Sequence, residues 1–436
     1  MNGFSPRYLL EVLQRLPSCQ CYWLAYSGGR DSHALLQALA LLQQELPARV
    51  RVVHIDHGLH SHSQQWVMHC QAICDELNLP FVPRRVNARP DSGQSPEAAA
   101  RQARYEALAG LMAEGDVLLT AHHRNDQAET LMLQLLRGAG PHGLAGMPEC
   151  REFGVGFLAR PLLGIGRDEL EAYARHQGLQ WIDDPSNDDP GFRRNYLRHE
   201  VMPRLQVQWP AFDRTMARSA GLCADASVLL DQLAAQDLSV LALGDGLSLA
   251  GLQNLDPVRQ RNVLRYWCVS KALPLPNQAH LDQVQQQIFS ASDCAPLVRW
   301  PGAELRRYQG CLMLMSPLSR LDNTLELDWD MAKVLDLPHG RLSAVAGQAG
   351  DLDADVSKQQ INVRFRRGGE RFLTSSGKHH SLKKFLQKQK VAPWLRDRIP
   401  LIYINGELAA IAGLLVCEAF AARSDQASLQ IDWQPF

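Results

Sequence analysis

The chain has 436 residues, of which 46% are hydrophobic and 21% charged, and its formal net charge is −1. This length predicts two or three domains, and the neutral charge means that any nucleic-acid-binding surface must be local. No apolar run approaches the roughly 20 residues that span a bilayer, and the first residues lack a signal-peptide pattern. We therefore expect a cytoplasmic protein with no membrane partner. The ten cysteines form no C-x-x-C pair, which is typical of buried thiols in a reducing compartment.

Strands and helices alternate over roughly the first 200 residues. The apolar runs that predict strands lie at 22–26, 50–55, 81–83 and 117–120. The helices predicted after them cover about 34–41, 63–77, 96–113 and 126–136. This alternation predicts a doubly wound α/β domain with a parallel sheet, in which ligands bind at the carboxyl ends of the strands.

A glycine pair flanked by hydroxyls separates the first strand from its helix. Glycine allows positive φ and close backbone approach, and the free N–H groups of a helix N-terminus face an anion. The segment therefore predicts a phosphate-binding loop, and the alternative is a Gly-Gly turn in which Ser and Asp cap the helix. The loop residues are Ser27, Gly28, Gly29, Arg30, Asp31 and Ser32.

Two further segments follow the second and third strands. The turn at 54–60 is rich in histidine and includes His57, and it could line a nucleotide pocket or, less consistently with its spacing, bind zinc. The helix from Pro96 carries Arg101 and Arg104 three residues apart. These arginines could contact phosphates, or they could be solvated side chains on an alanine-rich helix.

Acidic side chains follow the fourth strand. Asp126 and Glu129 lie three residues apart near the start of a predicted helix. One interpretation is a capping box, with Asp126 as the N-cap and Glu129 reaching back to it. The other is a carboxylate cluster that binds Mg²⁺ or a substrate ammonium group. A third cluster, at 183–198, places acids in a turn before a basic helix start, where they could cap and solvate the turn or hold a cationic substrate beside RNA.

The second half of the chain changes character twice. Residues from about 210 to 318 are predicted to be helical, with amphipathic stretches at 217–224 and 256–267. Residues 321–360 carry eight acids against three bases, whereas the basic segment, residues 364–398, carries eleven Lys and Arg against two acids. We predict a catalytic domain over 1–210, a helical substrate-binding domain over 211–320, and a C-terminal domain over 321–436 that begins with the acidic linker 321–360.

Together these clusters resemble the tRNA(Ile)-lysidine synthase family of the PP-loop ATP pyrophosphatases. The loop at 27–32 matches the superfamily signature SGGxDS, and four family motifs follow in order at 54–59, 95–105, 123–130 and 186–198. Residues 364–371, 382–385 and 393–396 are similar to the family's C-terminal tRNA-binding domain. Asn125 departs from the pattern where the family often has Asp, and His60 departs where it often has Arg.

The resemblance implies a ligase that uses ATP and Mg²⁺. ATP would adenylate the C2 carbonyl oxygen of the wobble cytidine in tRNA(Ile) with a CAU anticodon, releasing pyrophosphate. The side-chain amine of free L-lysine would then attack C2 and expel AMP, giving lysidine. The implied fold is a PP-loop, Rossmann-like catalytic domain followed by a helical domain and a small α+β C-terminal domain. A homodimer is one assembly that the sequence leaves open.

The resemblance also implies roles for individual residues. The catalytic candidates are Asp31, Arg104, Asp126 and Glu129, and because Asn125 replaces an acid, Asp31 and Asp126 are the Mg²⁺ candidates. The loop residues and His57 would bind ATP. The candidates for contact with lysine or tRNA are Asp184, Asn187, Asp189, Arg194, Asn195, Arg198, Arg366, Lys383, Lys384 and Arg396.

Other functions remain as alternatives. A PP-loop tRNA thiolase would need reactive cysteines, for which Cys70 and Cys74 are the candidates, although the missing C-x-x-C disfavours it. A glutamine-dependent amidotransferase would need a glutaminase region, and none is recognised. A non-catalytic RNA-binding protein would not need the intact serines and acid of the loop.

Overall fold

The structure is a computed structural model, and it describes residues 3–56, 63–87, 96–183, 189, 191–288, 296–348, 351–373, 379–423 and 426–435. The chain forms two compact units, Met1–Gln232 and Leu233–Phe436. In the described part of the chain, no helix combines the length and apolar character needed to cross a membrane.

The first unit is built on one six-stranded sheet. Its strands are β1 Cys21–Ala25, β2 Arg49–Asp56, β3 Phe81–Arg85, β4 Val117–Leu119, β5 Cys150–Phe153 and β6 Gly156–Ala159. Its helices are α1 Pro6–Leu13, α2 Arg30–Leu41, α3 Ser63–Glu76, α4 Pro96–Ala109, α5 Arg124–Leu136, α6 Pro141–Leu144, α7 Arg167–His176, α8 Arg193–Tyr196 and α9 Met202–Gln208, and α10 Phe212–Leu241 continues past the unit boundary in sequence. A π-helical turn, Leu197–Val201, joins α8 to α9.

The strand order is β3-β2-β1-β4-β6-β5. All pairs are parallel except β5 with β6, which are antiparallel. Side chains of β1 alternate between two cores: Tyr22 and Leu24 pack with α2, whereas Trp23 packs with Leu108 of α4. Both faces of the sheet are therefore covered, and the predicted doubly wound fold is confirmed.

The strand order reverses between β1 and β4. In doubly wound sheets, ligands bind outside the carboxyl ends of the strands at this switch point. The loop at 27–32 follows β1 and the start of α5 follows β4, so the two most informative motifs of the sequence meet there. The predicted elements are recovered with small shifts. For example, α5 starts at Arg124 rather than 126, and α4 ends at Ala109.

The second unit contains mostly antiparallel sheets. Its strands are β7 Ala242–Leu243, β8 Gly246–Ser248, β9 Leu297–Trp300, β10 Ala303–Tyr308, β11 Cys311–Met315, β12 Glu326–Asp328, β13 Leu335–Leu337, β14 Gly340–Ala346, β15 Leu352–Asp353, β16 Ile361–Arg364, β17 Arg371–Leu373, β18 His379–Ser381, β19 Leu401–Ile404, β20 Glu407–Ile411, β21 Leu415–Val416 and β22 Ser428–Pro435. Its helices are α11 Leu249–Gln253, α12 Pro257–Ser270, α13 Gln278–Gln283, α14 Leu382–Lys388 and α15 Pro393–Arg396.

Residues 242–315 are not purely helical, so that part of the sequence prediction was incomplete. Five strands form a sheet in the order β7-β8-β11-β10-β9, and its core packs with α12 and α13. A separate core lies under the sheets of residues 326–435 and contains Phe365, Phe372 and Leu386. Phe365 and Phe372 of the basic segment therefore pack beneath its charged surface.

Candidate functional site

The phosphate loop is organised by its two serines. Ser32 Oγ lies 2.9 Å from Ser27 Oγ and donates to the Gly29 carbonyl oxygen at 2.9 Å. The Gly29 amide donates to Ser27 Oγ at 3.3 Å, and helix α2 begins at the next residue. The loop is thus held by its own side chains, and the amides of the first helical turn are available to an anion.

Only the first glycine of the pair needs positive φ. Gly28 has φ +85°, and a Cβ added there would lie 3.0 Å from Cys70 Sγ and 3.1 Å from Ile182 Cδ1. Gly29 has φ −77° and is the N-cap of α2. A larger residue at position 28 is therefore excluded by both backbone conformation and packing.

Asp31 connects this loop to the helix that follows β4. Its Oδ2 lies 3.5 Å from His123 Nε2, and its Oδ1 accepts from Arg30 Nε at 3.2 Å. The same His123 Nε2 lies 3.6 Å from Asp126 Oδ2. Arg30 is held in turn by Glu171 of α7, at 2.7 Å. One oxygen from each of two carboxylates therefore faces a single ring nitrogen.

The capping interpretation of this region needs a correction. His123, not Asp126, is the N-cap of α5. Asp126 is the third residue of the helix, and its Oδ2 accepts the His123 amide at 3.0 Å, which completes a capping box. Glu129 does not reach back to this cap, because both of its oxygens are bound elsewhere.

Two arginines from the α8 region bind Asp126 and Glu129 together. Arg194 donates to Glu129 Oε2 at 2.6 Å and to Asp126 Oδ1 at 2.9 Å. Arg198 donates to Glu129 Oε1 at 2.6 Å and to Asp126 Oδ1 at 3.1 Å. Arg198 lies in the π-helical turn, a feature that often occurs at functional sites. The carboxylate–arginine network, as we call it, consists of Asp31, His123, Asp126, Glu129, Arg194 and Arg198.

Burial and charge act in opposite directions on the network. Burial would raise the pKa of Asp126, but the charges of His123 and Arg194 hold that pKa below its ordinary value. The pKa of Asp31 is lowered in the same way, against its own burial, by His123 and Arg30. Burial opposes the charge of His123, yet Asp126 and Asp31 raise its pKa. Both aspartates are therefore ionised at neutral pH.

These carboxylates fit a magnesium ion. Mg²⁺ in phosphate-transfer sites typically takes one or two carboxylate oxygens and completes its shell with phosphate oxygens and water. Asp31 and Asp126 each direct an ionised oxygen, Oδ2, toward the same ring nitrogen, and no arginine of the described residues binds either Oδ2. In the described residues, no cluster of three or more His, Cys, Asp or Glu side chains has the arrangement of a metal site. His54, at the start of the histidine-rich turn, is buried and bonds the Tyr26 carbonyl oxygen at 2.9 Å, and residues 57–60 of the turn lie outside the described residues.

The remaining candidates of the first unit divide into three groups. Asn195 and Asp189 are brought together, because Asn195 Nδ2 donates to the Asp189 carbonyl oxygen at 2.9 Å. Arg104 lies over the Tyr105 ring, 5.4 Å from its centroid. Three candidates lie outside the described residues: His57, Asp184 and Asn187.

Four candidates belong to the basic segment of the second unit, and two of them stabilise the local structure. Arg366 donates to Asp397 Oδ1 at 2.6 Å, and Arg396 donates to the Val391 carbonyl and the Tyr308 hydroxyl. Lys383 and Lys384 are exposed on α14 and make no ion pair within the described residues. The two lysines are therefore the better placed for contact with an external anion.

Sequence reasoning named Arg194, Arg198 and Glu129 as candidates but missed how they pair. The pairing of Arg194 and Arg198 with Glu129 joins positions 65 and 69 residues apart, which no local pattern predicts. Asn125, the departure from the family pattern, accepts the Arg167 amide at 3.0 Å and so supports the start of α7. A short signal did exist for His123, which stands one residue before α5, where N-caps occur.

An open cavity of about 290 Å³ lies beside the network. Glu129 and Arg198 form part of its wall, together with Asn125 and Arg167. Glu129 is its acidic wall residue, and the Glu129 side chain is only 1% exposed. The cavity is large enough for a small polar ligand, and its charged groups are already partly compensated.

The cysteine candidates for sulfur chemistry are inert in this structure. Cys70 and Cys74 are fully buried, and burial raises the pKa of each thiol to about 12. A thiolate, rather than a thiol, is the nucleophile in sulfur transfer. Neither residue can therefore serve as the reactive cysteine of a thiolase at neutral pH.

Known proteins resemble this chain over nearly its whole length. Family models match at residues 5–205 (PP-loop domain), 247–313 (TilS substrate binding domain) and 361–433 (TilS substrate C-terminal domain). The tRNA(Ile)-lysidine synthase of Coxiella burnetii is 42% identical, with 99% of this chain and 97% of that protein covered. The enzyme of the same name from Pseudomonas syringae is 42% identical, with coverages of 95% and 93%.

Among solved structures, a U34-tRNA thiolase from Methanococcus maripaludis matches at 16% identity and a TM-score of 0.43, covering 49% of this chain and 76% of that one. The curated relatives match over nearly their whole length, across the PP-loop domain and both substrate domains. The chain belongs to the tRNA(Ile)-lysidine synthase family.

Proposed function

We propose that this protein is a ligase that converts the wobble cytidine of tRNA(Ile) with a CAU anticodon to lysidine, using ATP and free L-lysine in the cytoplasm. The observation that carries the proposal is the SGGRDS loop at the switch point of the sheet, where Asp31 is linked through His123 to Asp126. A phosphate loop joined to an ionised carboxylate pair suits a reaction in which pyrophosphate leaves.

In the first half-reaction, the C2 carbonyl oxygen of the cytidine attacks the α-phosphorus of ATP and pyrophosphate departs. The amides at the start of α2 would receive the departing phosphates, because they are fixed donors that need no reorganisation. Asp31 and Asp126 would hold Mg²⁺, which neutralises the charge on the phosphate oxygens.

In the second half-reaction, the side-chain amine of lysine attacks C2 and AMP leaves. An amine is nucleophilic only when neutral, so an acceptor must take its proton. Asp184, Asp189 and Glu129 are our candidates for orienting lysine. Glu129 would contact lysine directly only if Arg194 or Arg198 moved, because both of its oxygens now accept from these arginines. The cavity beside the network is the proposed entry for the amino acid.

Binding of tRNA would also use the basic segment. Lys383 and Lys384 carry uncompensated charge on α14, which suits contact with RNA phosphates. Such contacts add affinity and register but do not read bases. Recognition of the anticodon would then depend on the first unit, where Asn187 and Asn195 are candidate contacts.

The test is incorporation of labelled amino acid into RNA. The protein is incubated with ATP, Mg²⁺ and an unmodified tRNA(Ile) transcript, and labelled lysine is compared with labelled ornithine. We expect lysine to enter RNA, and we expect ornithine to enter about 10²-fold more slowly, since a shorter chain misplaces the amine. A transcript in which the wobble cytidine is replaced by uridine is the control and should accept no label. No incorporation of lysine into the CAU transcript would refute the proposal.

A further inference from the structure

A second group of cations lies at the carboxyl edge of the sheet, outside the carboxylate–arginine network. Arg160 directly follows β6, and beside it the Thr120 amide, which follows β4, donates to the Ala159 carbonyl at 3.0 Å. The Tyr105 hydroxyl faces the guanidinium groups of both Arg160 and Arg104. Arg101 and Arg104 lie over the Tyr105 ring, at 5.1 Å and 5.4 Å from its centroid.

Arg160 is deeply buried and incompletely bonded. The residue is 4% exposed, its Nη1 donates to the Pro148 carbonyl oxygen at 2.8 Å, and its Nε has no partner among the residues that the structure describes. Within the described ranges, neither Arg160 nor Arg104 forms an ion pair with an acid. A guanidinium cannot lose its proton in a protein, so a buried one without a counter-ion carries a large desolvation penalty.

The surroundings make this penalty larger. Burial lowers the pKa of the Arg160 guanidinium, the Tyr105 phenol partly offsets this, and the charges of Arg151 and Arg101 lower the pKa further. Burial also lowers the pKa of Arg104, with contributions from Arg101 and Arg194, and the phenol of Tyr105 only partly offsets this. Arg194 and Arg198 are different, because Asp126 and Glu129 neutralise them. The group around Arg160 has uncompensated positive charge where the first unit faces its ligands.

We propose that Arg160, together with Arg104 and Tyr105, forms a phosphate-binding subsite in which Arg160 supplies a buried, preoriented guanidinium to a substrate phosphate. This inference rests on the proposed function, which provides two phosphate-bearing substrates, ATP and tRNA. A guanidinium binds phosphate through parallel N–H···O bonds, and the phenol keeps Arg104 and Arg160 adjacent while the phosphate binds. Arg160 is a binding and positioning residue for the first half-reaction rather than an acid or base.

The experiment compares full-length wild type, Arg160→Met and Arg160→Lys. Rates of tRNA-dependent pyrophosphate release are measured against ATP at saturating tRNA, and against tRNA at saturating ATP. We expect Arg160→Met to raise one of the two KM values by about tenfold to 100-fold, the range for losing hydrogen bonds to a charged group. The KM that rises identifies the source of the phosphate. Arg160→Lys keeps the positive charge but lacks the parallel N–H donors of a guanidinium, so its KM should rise less than that of Arg160→Met.

Arg151→Met is the matched control. Arg151 is exposed on β5, pairs with Leu158 of β6, and adds positive charge near Arg160 without burial. If a general loss of positive charge were responsible, this variant would raise the same KM as Arg160→Met. We expect both of its KM values to stay within about twofold of wild type.

The outcomes separate this inference from the proposed function. If Arg160→Met folds and both of its KM values are unchanged, the proposed subsite is wrong. Arg160 would then be a structural residue that holds the Pro148 turn in place through its hydrogen bond to the Pro148 carbonyl. If Arg160→Met does not fold, Arg160→Lys decides: a rise of severalfold in either KM supports the subsite, and two unchanged values overturn it. Thermal stabilisation of wild type and Arg160→Lys by inorganic pyrophosphate provides a readout that does not require lysidine formation. Failure of wild type to incorporate lysine would refute the proposed function alone.

Discussion

The carboxylate–arginine network of the first unit and the basic segment of the second unit use charge in opposite ways. Glu129 is 1% exposed between Arg194 and Arg198, whose side chains are 29% and 21% exposed. Lys383 and Lys384 of the basic segment are exposed and have no ion pair among the described residues. Buried ion pairs fix the positions of reacting groups. Exposed charges instead add binding affinity, which falls as the salt concentration rises because salt screens the charges. Mutations in the two regions should therefore fail in different assays.

The largest expected effect is the loss of the first half-reaction in the phosphate loop. Asp31→Ala removes one carboxylate of the proposed Mg²⁺ pair and one of the two acids that face His123, so we expect tRNA-dependent pyrophosphate release to fall by at least about 10³-fold. The affinity for tRNA should change little. Asp75→Ala, which removes an exposed acid from α3, is the control and should keep its activity. If Asp31→Ala released pyrophosphate at nearly the wild-type rate, the loop would not take part in the first half-reaction.

Stability provides the second contrast. Glu129→Gln removes one of the two carboxylates that Arg194 and Arg198 share and leaves them only Asp126, and breaking a buried pair typically costs about 3–5 kcal/mol of unfolding free energy. Glu326, whose side chain is 39% exposed, pairs with Arg364. Glu326→Gln should therefore cost only about 0–1 kcal/mol of unfolding free energy. Denaturant titrations of both variants measure the difference. Equal costs would mean that the network is as solvated as a surface ion pair.

The third prediction concerns acid. Burial lowers the pKa of His122 to about 4, and the charges of Arg160 and Arg194 act in the same direction. Between about pH 6.5 and 4 the unfolded chain therefore binds a proton that the folded protein excludes, so stability falls as the pH falls, by up to about 1.4 kcal/mol per pH unit. The stabilisation from Asp31 and Asp126 persists through this range and is lost only below about pH 4.

His122→Gln should flatten the acid-side loss of stability between about pH 6.5 and 4. The control is His176→Gln, which replaces an exposed histidine of α7. Thermal melts across the range are the measurement. A wild-type slope that is unchanged in His122→Gln would show that another group takes up the proton.

The smallest effect is expected in the basic segment. Replacing both Lys383 and Lys384 by glutamine should reduce the log–log salt slope of tRNA binding by roughly 1.4–1.8, at 0.7–0.9 for each phosphate contact. The affinity for ATP should be unchanged. Lys333→Gln with Arg341→Gln is the matched pair, because Asp330 and Asp336 already neutralise those two cations. An unchanged slope in the lysine variant would exclude α14 from RNA contact.

Local sequence signals were sufficient for the fold of the first unit and for its loop. The apolar runs predicted β1 to β4, and the glycine pair after β1 predicted the loop at 27–32, since both signals depend on neighbouring residues. The contacts of Arg194 and Arg198 with Glu129 could not be predicted, because they connect α8 and the following turn to α5 across more than 60 residues. Neither the burial of Arg160 nor its having no acidic partner among the described residues could be predicted, because both depend on the tertiary structure.

The strands at 297–315 were missed although a signal was present. Gln309 and Gly310 adopt φ +49° and +76°, the conformation of a two-residue hairpin turn between β10 and β11. Pro301-Gly302 marks the turn before β10, and the runs between these turns alternate in burial. Reading the turn dipeptides before the helical periodicity would have predicted this sheet.

The stoichiometry of one complete reaction is the most direct test of the proposed adenylation and lysine transfer. Wild-type protein is incubated with ATP, Mg²⁺, labelled lysine and the CAU transcript, and AMP, ADP, pyrophosphate and RNA-bound lysine are quantified together. We expect one AMP and one pyrophosphate for every lysine bound at the wobble cytidine, and none of the three products with Asp31→Ala. Lysine incorporation accompanied by ADP and phosphate, or pyrophosphate release that continues undiminished in Asp31→Ala, would contradict the proposed reaction.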